Sequence, residues 1–240
     1  MITVILISGK YNAGKDTLAQ SIFDTLLYHQ TSNISVHIDS LAAPVKEIAA
    51  DYMFWDGKKD DVGRDLLVGI AKTAADYYRY TWIHRLANRI RNVTEPSYSY
   101  ETNNFIPKDL HSIYIIPDFR FIHEIVFLAQ DDIAKHINYI IPIRVGRINL
   151  PEMESKHREN VFDTELDSFN HFKFILDWDE GDEFEDYKNK CNNLSLDIAD
   201  LALIQSEECS REFWQKIFTP DKYIEILHQG NKFNQRIPEF

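Results

Sequence analysis

Apolar residues along this chain come in short solid blocks, and the stretches between them carry helical periodicity. Ile2–Ser8 (ITVILIS) is apolar at nearly every position and rich in β-branched side chains. That is the pattern of a strand covered on both faces, as in a parallel sheet. The block ends at Gly9, and Lys15–His29 then places Leu18, Ile22 and Leu26 on one helical face. Ile34–Ile38 reads as a second strand, and Pro44, a residue suited to a first helical turn, opens the next helix. A long helical stretch is expected over Arg64–Val93, with Tyr77, Tyr78, Tyr80 and Trp82 as its aromatic residues. Thr94–Asp109 is rich in Pro, Ser, Asn and Tyr and reads as an excursion rather than a linker between domains.

Ser112–Pro117 (SIYIIP) is a further buried-strand candidate, Phe119–His136 has helical character, and Ile137–Val145 returns to strand. Arg147–Asn160 is polar and charged with no clean period, which suits a mobile lid. Phe172–Leu176 would supply the last sheet strand. The acidic run DWDEGDEFED, Asp177–Asp186, is expected to be a solvated turn and helix start, since a helix N-terminus favours negative charge. The rest, to Phe240, reads as largely helical before a polar tail. Strands alternating with helices predict an α/β layer structure around a parallel sheet, with no internal repeat.

Composition narrows this picture only a little. At 240 residues, 44% apolar and 27% charged, the chain suits one domain with an ordinary core, or one domain and an appendage. No run of about 18 apolar residues signals a membrane span, and the opening MITVILISGK lacks the pattern of a secretory signal. Cys191 and Cys209 form neither a metal-ligand spacing nor a disulfide framework, so thiols in a reducing, cytoplasmic compartment are expected. A net charge of −12 argues against broad binding to nucleic acid, although a local cleft can stay positive on an acidic protein.

The strongest local signal is Gly9-Lys10-Tyr11-Asn12-Ala13-Gly14-Lys15-Asp16-Thr17. It satisfies G-x-x-x-x-G-K between a strand and a helix, the setting in which successive backbone N–H groups can surround a phosphate. Lys15 would bridge the β- and γ-phosphates of a nucleoside triphosphate, and Lys10 and Asn12 would add contacts. The position after Lys15 is Asp16 where the general pattern has Ser or Thr. Either Asp16, through a Mg²⁺-bound water, or Thr17 would then serve the metal or phosphate.

The string SGKYNAGKDT, with Asp16 in that place, resembles the deoxynucleoside monophosphate kinases of tailed phages, and the phosphomevalonate kinases of animal type have a related loop. Leu41–Glu47 (LAAPVKE), Arg64 followed by Leu66, Leu67 and Gly69, and Trp82 resemble family segments in the same order. So do Pro117-Asp118-Phe119-Arg120 with Glu124, a D-x-R-x-x-x-E pattern, and Thr164–Asp167 before the last strand. The resemblance spans about residues 2–200. It implies a P-loop kinase-like three-layer α/β fold over 1–205, with a central parallel sheet, a helical acceptor-binding region at about 44–110 and a lid at about 145–162. Residues 206–240 would form a helical extension without a counterpart in the family.

By the same resemblance the chain would use ATP and Mg²⁺ to convert a deoxynucleoside monophosphate to its diphosphate. Lys15, Asp118 and Arg120 would be catalytic; Gly9, Lys10, Asn12, Ala13, Gly14, Lys15, Asp16, Thr17 and Arg147 would bind ATP, with Asp16 toward the metal. Lys46, Arg64, Gly69, Trp82, Asp118, Arg120, Glu124 and Glu165 would form the acceptor site. Glu124 would orient Arg120 or bind sugar hydroxyls, with an ordinary helix-surface ion pair as the alternative; for Trp82 core packing is favoured over stacking on a base, and for Gly69 helix packing is the equal alternative. Arg144, Arg147, Lys156, His157 and Arg158 supply the basic region around the lid. A related acceptor such as phosphomevalonate, a modified base in DNA, and a nucleotide-binding regulatory protein without transfer activity are the competing functions. The expected partner is a small phosphorylated acceptor rather than a membrane or nucleic acid; a homodimer is left open, and the compartment would be the host cytoplasm if phage-encoded.

Overall fold

The computed structural model describes residues 1–10, 12–28, 34–94, 97–99, 104–106, 111–148, 165–179 and 183–219. Five strands form a parallel sheet: β1 (Ile2–Ser8), β2 (Ile34–Ile38), β5 (His111–Ile116), β6 (Tyr139–Ile148) and β7 (Phe174–Asp179), in the order β2-β5-β1-β6-β7. Two short strands, β3 (Ser97–Ser99) and β4 (Asn104–Ile106), pair antiparallel apart from it. The strand with the most apolar run therefore takes the centre. Every residue of β1 is buried, because helices cover both sides of the sheet.

Alternation along β1 divides the core in two. Val4 and Leu6 face a cluster built with Ile83, Leu86 and Ile90 of α4 (Thr81–Thr94), with α5 (Ile122–Gln130), and with Trp214 of α7 (Arg211–Ile217). Ile5 and Ile7 face a second cluster with Leu18, Ile22 and Leu26 of α1 (Lys15–Tyr28) and with Tyr187, Ile198 and Ala202 of α6 (Phe184–Ile204). The α/β layer arrangement read from the alternation is the one observed. No helix among the described residues is long and apolar enough to cross a membrane.

Four boundaries differ from the sequence reading, each for a local reason. The helix expected over Arg64–Val93 is two, α3 (Asp61–Tyr77) and α4, broken where Tyr78 turns extended. Tyr80 there packs against His123 and Phe127, with ring centroids 5.6 and 5.4 Å apart, and the Thr81 hydroxyl sits 2.6 Å from the Tyr78 carbonyl. The helix expected over Phe119–His136 is shortened to α5 and a 3-10 turn at Asp132–Ala134, because Asp131 is extended and its side chain caps that turn. β6 runs on to Ile148, so residues 145–148 of the supposed lid are strand. The remainder of the lid, with Lys156, His157 and Arg158, lies outside the described residues. Asp177–Asp179, read as the start of an acidic turn, are the end of β7 and pair in register with Gly146–Ile148. The second half of that run behaves as expected, with Glu185 and Asp186 in the first turn of α6.

Candidate phosphate-binding site

β1 ends at Ser8 and α1 begins at Lys15, so the glycine loop sits at the carboxyl end of the central strand, with β5 on one side and β6 on the other. In an open α/β sheet the crevice beyond the carboxyl ends of the strands, at the point where the strand order reverses, is where ligands are held. Sequence placed the loop; the sheet order supplies the crevice.

Two glycines are required by close approach. A Cβ on Gly9 would collide with the Val145 carbonyl oxygen of β6, and one on Gly14 (φ +91°) would enter the Tyr187 ring. Asn12 adopts φ 56°, a left-handed conformation that Asn tolerates better than most residues. Ala13 is buried, while Lys10, Asn12 and Asp16 are exposed and Lys15 and Thr17 are half-buried.

Four of the loop's carbonyl groups are held by side chains. Lys15 Nζ donates to the Gly9 and Lys10 carbonyls, both at 2.7 Å. Trp178 Nε1 of β7 donates to the Ala13 carbonyl at 2.9 Å, and the Tyr187 hydroxyl of α6 donates to the Gly14 carbonyl at 2.7 Å. Those two rings stack with centroids 4.6 Å apart, and the Arg147 guanidinium lies over the Trp178 ring at 4.5 Å. Burial raises the Tyr187 hydroxyl well above its ordinary value, which keeps it a donor. Neither aromatic was visible as a site residue in the sequence, because Trp178 stood inside an apparently solvated acidic run.

Cations gather beside the loop despite the acidic total. Arg144, midway along β6, pairs with Asp167, and Lys10 lies 3.8 Å from the same carboxylate. Asp167 belongs to a 3-10 turn, Glu165–Ser168, whose Glu165 side chain lies outside the described residues.

Asp118, which follows β5, turns both carboxylate oxygens onto the start of α2 (Ala43–Met53). It accepts from the Ser40 hydroxyl at 2.7 Å and from the Leu41 and Ala42 amides at 2.9 and 2.8 Å. Arg89 of α4 holds the same segment from the other side, donating to Asp39 Oδ1 at 2.8 Å and to the Ser40 carbonyl at 3.1 Å. The Asp39–Ser40–Arg89 part of this arrangement had no signature in the sequence, since its members are about fifty residues apart.

Arg120 is exposed at the mouth of the same crevice edge, and the backbone around it is fixed by Glu124. The Glu124 carboxylate is buried and accepts the amides of Arg120 and Phe121 at 2.9 and 3.0 Å. It therefore caps α5 and fixes the Arg120 backbone through its amide, where the sequence offered a helix-surface ion pair. Burial pushes its carboxyl up to about 8, against the pull of the two amides. Its neighbour His123 is buried and held well below its usual range by burial and by Arg79, whose Nε donates to Nδ1 at 3.2 Å.

The remaining acceptor-site candidates sit on the helices beyond α2. Lys46 is half-buried in the first turn of α2. Arg64, in the first turn of α3, donates from Nε to the Lys59 carbonyl at 2.7 Å. The Trp82 indole bonds the Ala71 carbonyl at 3.1 Å and its ring packs on the first core cluster, which ties α4 to α3. A Cβ on Gly69 would meet open space, so no close contact demands a glycine there. Among the described residues no group of three or more His, Cys, Asp and Glu side chains could hold a metal ion.

No family model and no curated protein sequence matches this chain. Among solved structures it is similar to Kti12 of Chaetomium thermophilum in complex with ADP-AlF3, at 14% identity and TM-score 0.43, covering 82% of this chain and 97% of that one. It is also similar to the APS kinase CysC of Mycobacterium tuberculosis in complex with AMPPNP and APS, at 10% identity and TM-score 0.38, covering 83% and 96%. A mutant of the same APS kinase aligns at 9% identity and TM-score 0.35, covering 80% and 95%. At these identities and scores none of the three lends this chain a residue role or a substrate.

Proposed function

We propose that this chain is an ATP-dependent phosphotransferase that converts a deoxynucleoside monophosphate to its diphosphate. One observation carries the reading. A G-x-x-x-x-G-K loop lies at the carboxyl end of the central parallel strand, directly before a helix N-terminus, with the carbonyls of Gly9, Lys10, Ala13 and Gly14 all bonded to side chains. A loop with its oxygens so engaged presents amides and a helix dipole to an anion.

In the transfer, an oxygen of the acceptor phosphate attacks the γ-phosphorus and the bond to the β,γ-bridging oxygen breaks, releasing the nucleoside diphosphate. The acceptor is already anionic, so no protein base is needed; positioning and charge compensation supply the catalysis. Lys15 exchanges its carbonyl partners for β- and γ-phosphate oxygens. Arg120, exposed beside the crevice, offers a planar cation to the migrating group or the acceptor phosphate. Asp118 acts as a positioning residue through its hold on residues 40–42, which set where α2 and Lys46 begin.

Mg²⁺ suits this site in a limited way. The ion keeps much of its water and needs only one or two carboxylates beside the phosphates. Asp16, exposed in the first turn of α1, or the half-buried Thr17 would hold it. Bound there it would neutralise charge on the phosphate oxygens.

The test is turnover of labelled ATP against a panel of deoxynucleoside monophosphates, with phosphomevalonate as the rival acceptor. Product on phosphomevalonate alone would transfer the assignment to that acceptor class. Lys15→Ala is expected to lower kcat by about 10²-fold or more, as for loss of one preorganised charge-stabilising group, at an unchanged melting temperature. Undiminished turnover in that variant would remove Lys15 from the mechanism.

A further inference from the structure

We propose that Trp178 and Tyr187 are positioning residues of the phosphate loop: as paired donors to consecutive carbonyls, they aim the amides of Gly14 and Lys15 at the bound phosphate. The inference rests on the loop's role as a phosphate cradle and says which residues make the cradle stiff.

The argument starts from the peptide bond. It is planar and trans, so a carbonyl and the N–H of the next residue point in opposite directions from the same rigid unit. The Ala13 carbonyl is held by the Trp178 indole at 2.9 Å, and the amide in that peptide is Gly14's. The Gly14 carbonyl is held by the Tyr187 hydroxyl at 2.7 Å, and the amide in that peptide is Lys15's. Fixing two successive oxygens on one side therefore fixes two successive N–H groups on the other.

The Gly14 oxygen also receives the first helical bond, from the Leu18 amide at 3.1 Å, so its peptide is aligned with the axis of α1 and its amide partner faces the helix's positive end. Without the Trp178 donor the Ala13–Gly14 peptide could rotate, and without Tyr187 the Gly14–Lys15 peptide would rest on the Leu18 amide alone, at the entropic cost that preorganised sites avoid.

The two donors are themselves braced. Trp178 and Tyr187 are nearly fully buried, stacked on each other, and come from separate elements, the last strand and the last long helix. Arg147, on the adjacent strand, covers the outer part of the indole. Packing alone does not call for this chemistry. Burial would be served by rings without a donor, whereas an N–H and an O–H are placed against two oxygens of the glycine loop. Gly14 is part of the same fit, since any side chain there would displace the Tyr187 ring.

The test separates the cradle from ordinary stability. Tyr187→Phe removes only the hydroxyl, whereas Trp178→Phe keeps a ring, removes the donor and leaves a small cavity in a buried place. Trp214→Phe is the control: its indole donates to the Ile140 carbonyl at the same 2.9 Å, but in the other core cluster. Each variant and the wild-type full chain would be titrated by calorimetry with inorganic triphosphate and with ATP, alongside melting temperatures.

Trp178→Phe and Tyr187→Phe are each expected to weaken both ligands about three- to tenfold, the value of one net hydrogen bond. Trp214→Phe should lower the melting temperature comparably and leave both affinities unchanged. Equal affinities in all four proteins, with wild type binding tightly, would overturn the positioning role while sparing the phosphate-loop reading. A wild-type chain that takes up neither ligand would overturn both.

Discussion

Glu124 shows how much one side chain can be asked to do in the wrong solvent. Its carboxylate is buried, yet it must accept two amides to start α5 beside the exposed Arg120. Burial favours the neutral acid and the amides favour the ion; burial prevails and lifts the group from 4.5 to about 8. A carboxyl raised on folding adds stability below its unfolded value, and that stability drains away as pH rises through the folded value. Stability is therefore expected to fall between about pH 4.5 and 8 from this group. Glu124→Gln keeps an acceptor oxygen and has no charge to bury, so this fall should be missing from its curve, which keeps only the titrations both proteins share, that of the depressed His123 among them. Urea midpoints at half-unit pH steps would check it, and parallel curves for the two proteins would assign the titration elsewhere.

Between elements, the contact that sets the orientation of the loop-bearing helix is partly polar. On the α1–α6 seam the Thr25 and Ser195 hydroxyls lie 2.7 Å apart, Ser21 donates to Asn192 at 2.8 Å, and Ser195 reaches the Asn192 carbonyl at 2.8 Å. Ser195 is fully buried, while Thr25 is half-buried and Asn192 exposed, so the neighbours can turn to water when it is removed. Ser195→Ala is expected to cost about 1 kcal/mol, the net value of an intramolecular hydrogen bond. The measurement is a shift of the urea midpoint at constant slope; a variant as stable as wild type would mean that the seam's apolar contacts alone hold α1 against α6.

For the molecule as a whole, β1 is the central one of three strands, with β5 and β6, that contribute to both clusters. Leu6 faces one and Ile7 the other, and each is fully buried. Truncating either to Ala should cost about 2–5 kcal/mol. The two clusters cannot melt separately without exposing one face of a strand that is buried on both. Tryptophan fluorescence, with Trp178 in one cluster and Trp214 in the other, should therefore trace the same unfolding curve as far-ultraviolet ellipticity in both variants. Separated transitions would show two independently stable layers.

The strands, the glycine loop and the alternation of layers could be read from the order of residues because each depends on neighbours in the chain: continuous apolar runs, a turn that needs glycine, a helix that follows it. Gly9, Gly14 and Lys15 belong to this group. Asp118 was singled out beforehand, but its partners Ser40, Leu41 and Ala42 lie almost eighty residues away. The break at Tyr78 follows from Tyr80 packing onto α5, and Trp178 and Tyr187 meet the loop only because β7 and α6 close over it. Such contacts are set by the order of strands in the sheet, which brings distant segments within hydrogen-bond reach and leaves no trace in local periodicity.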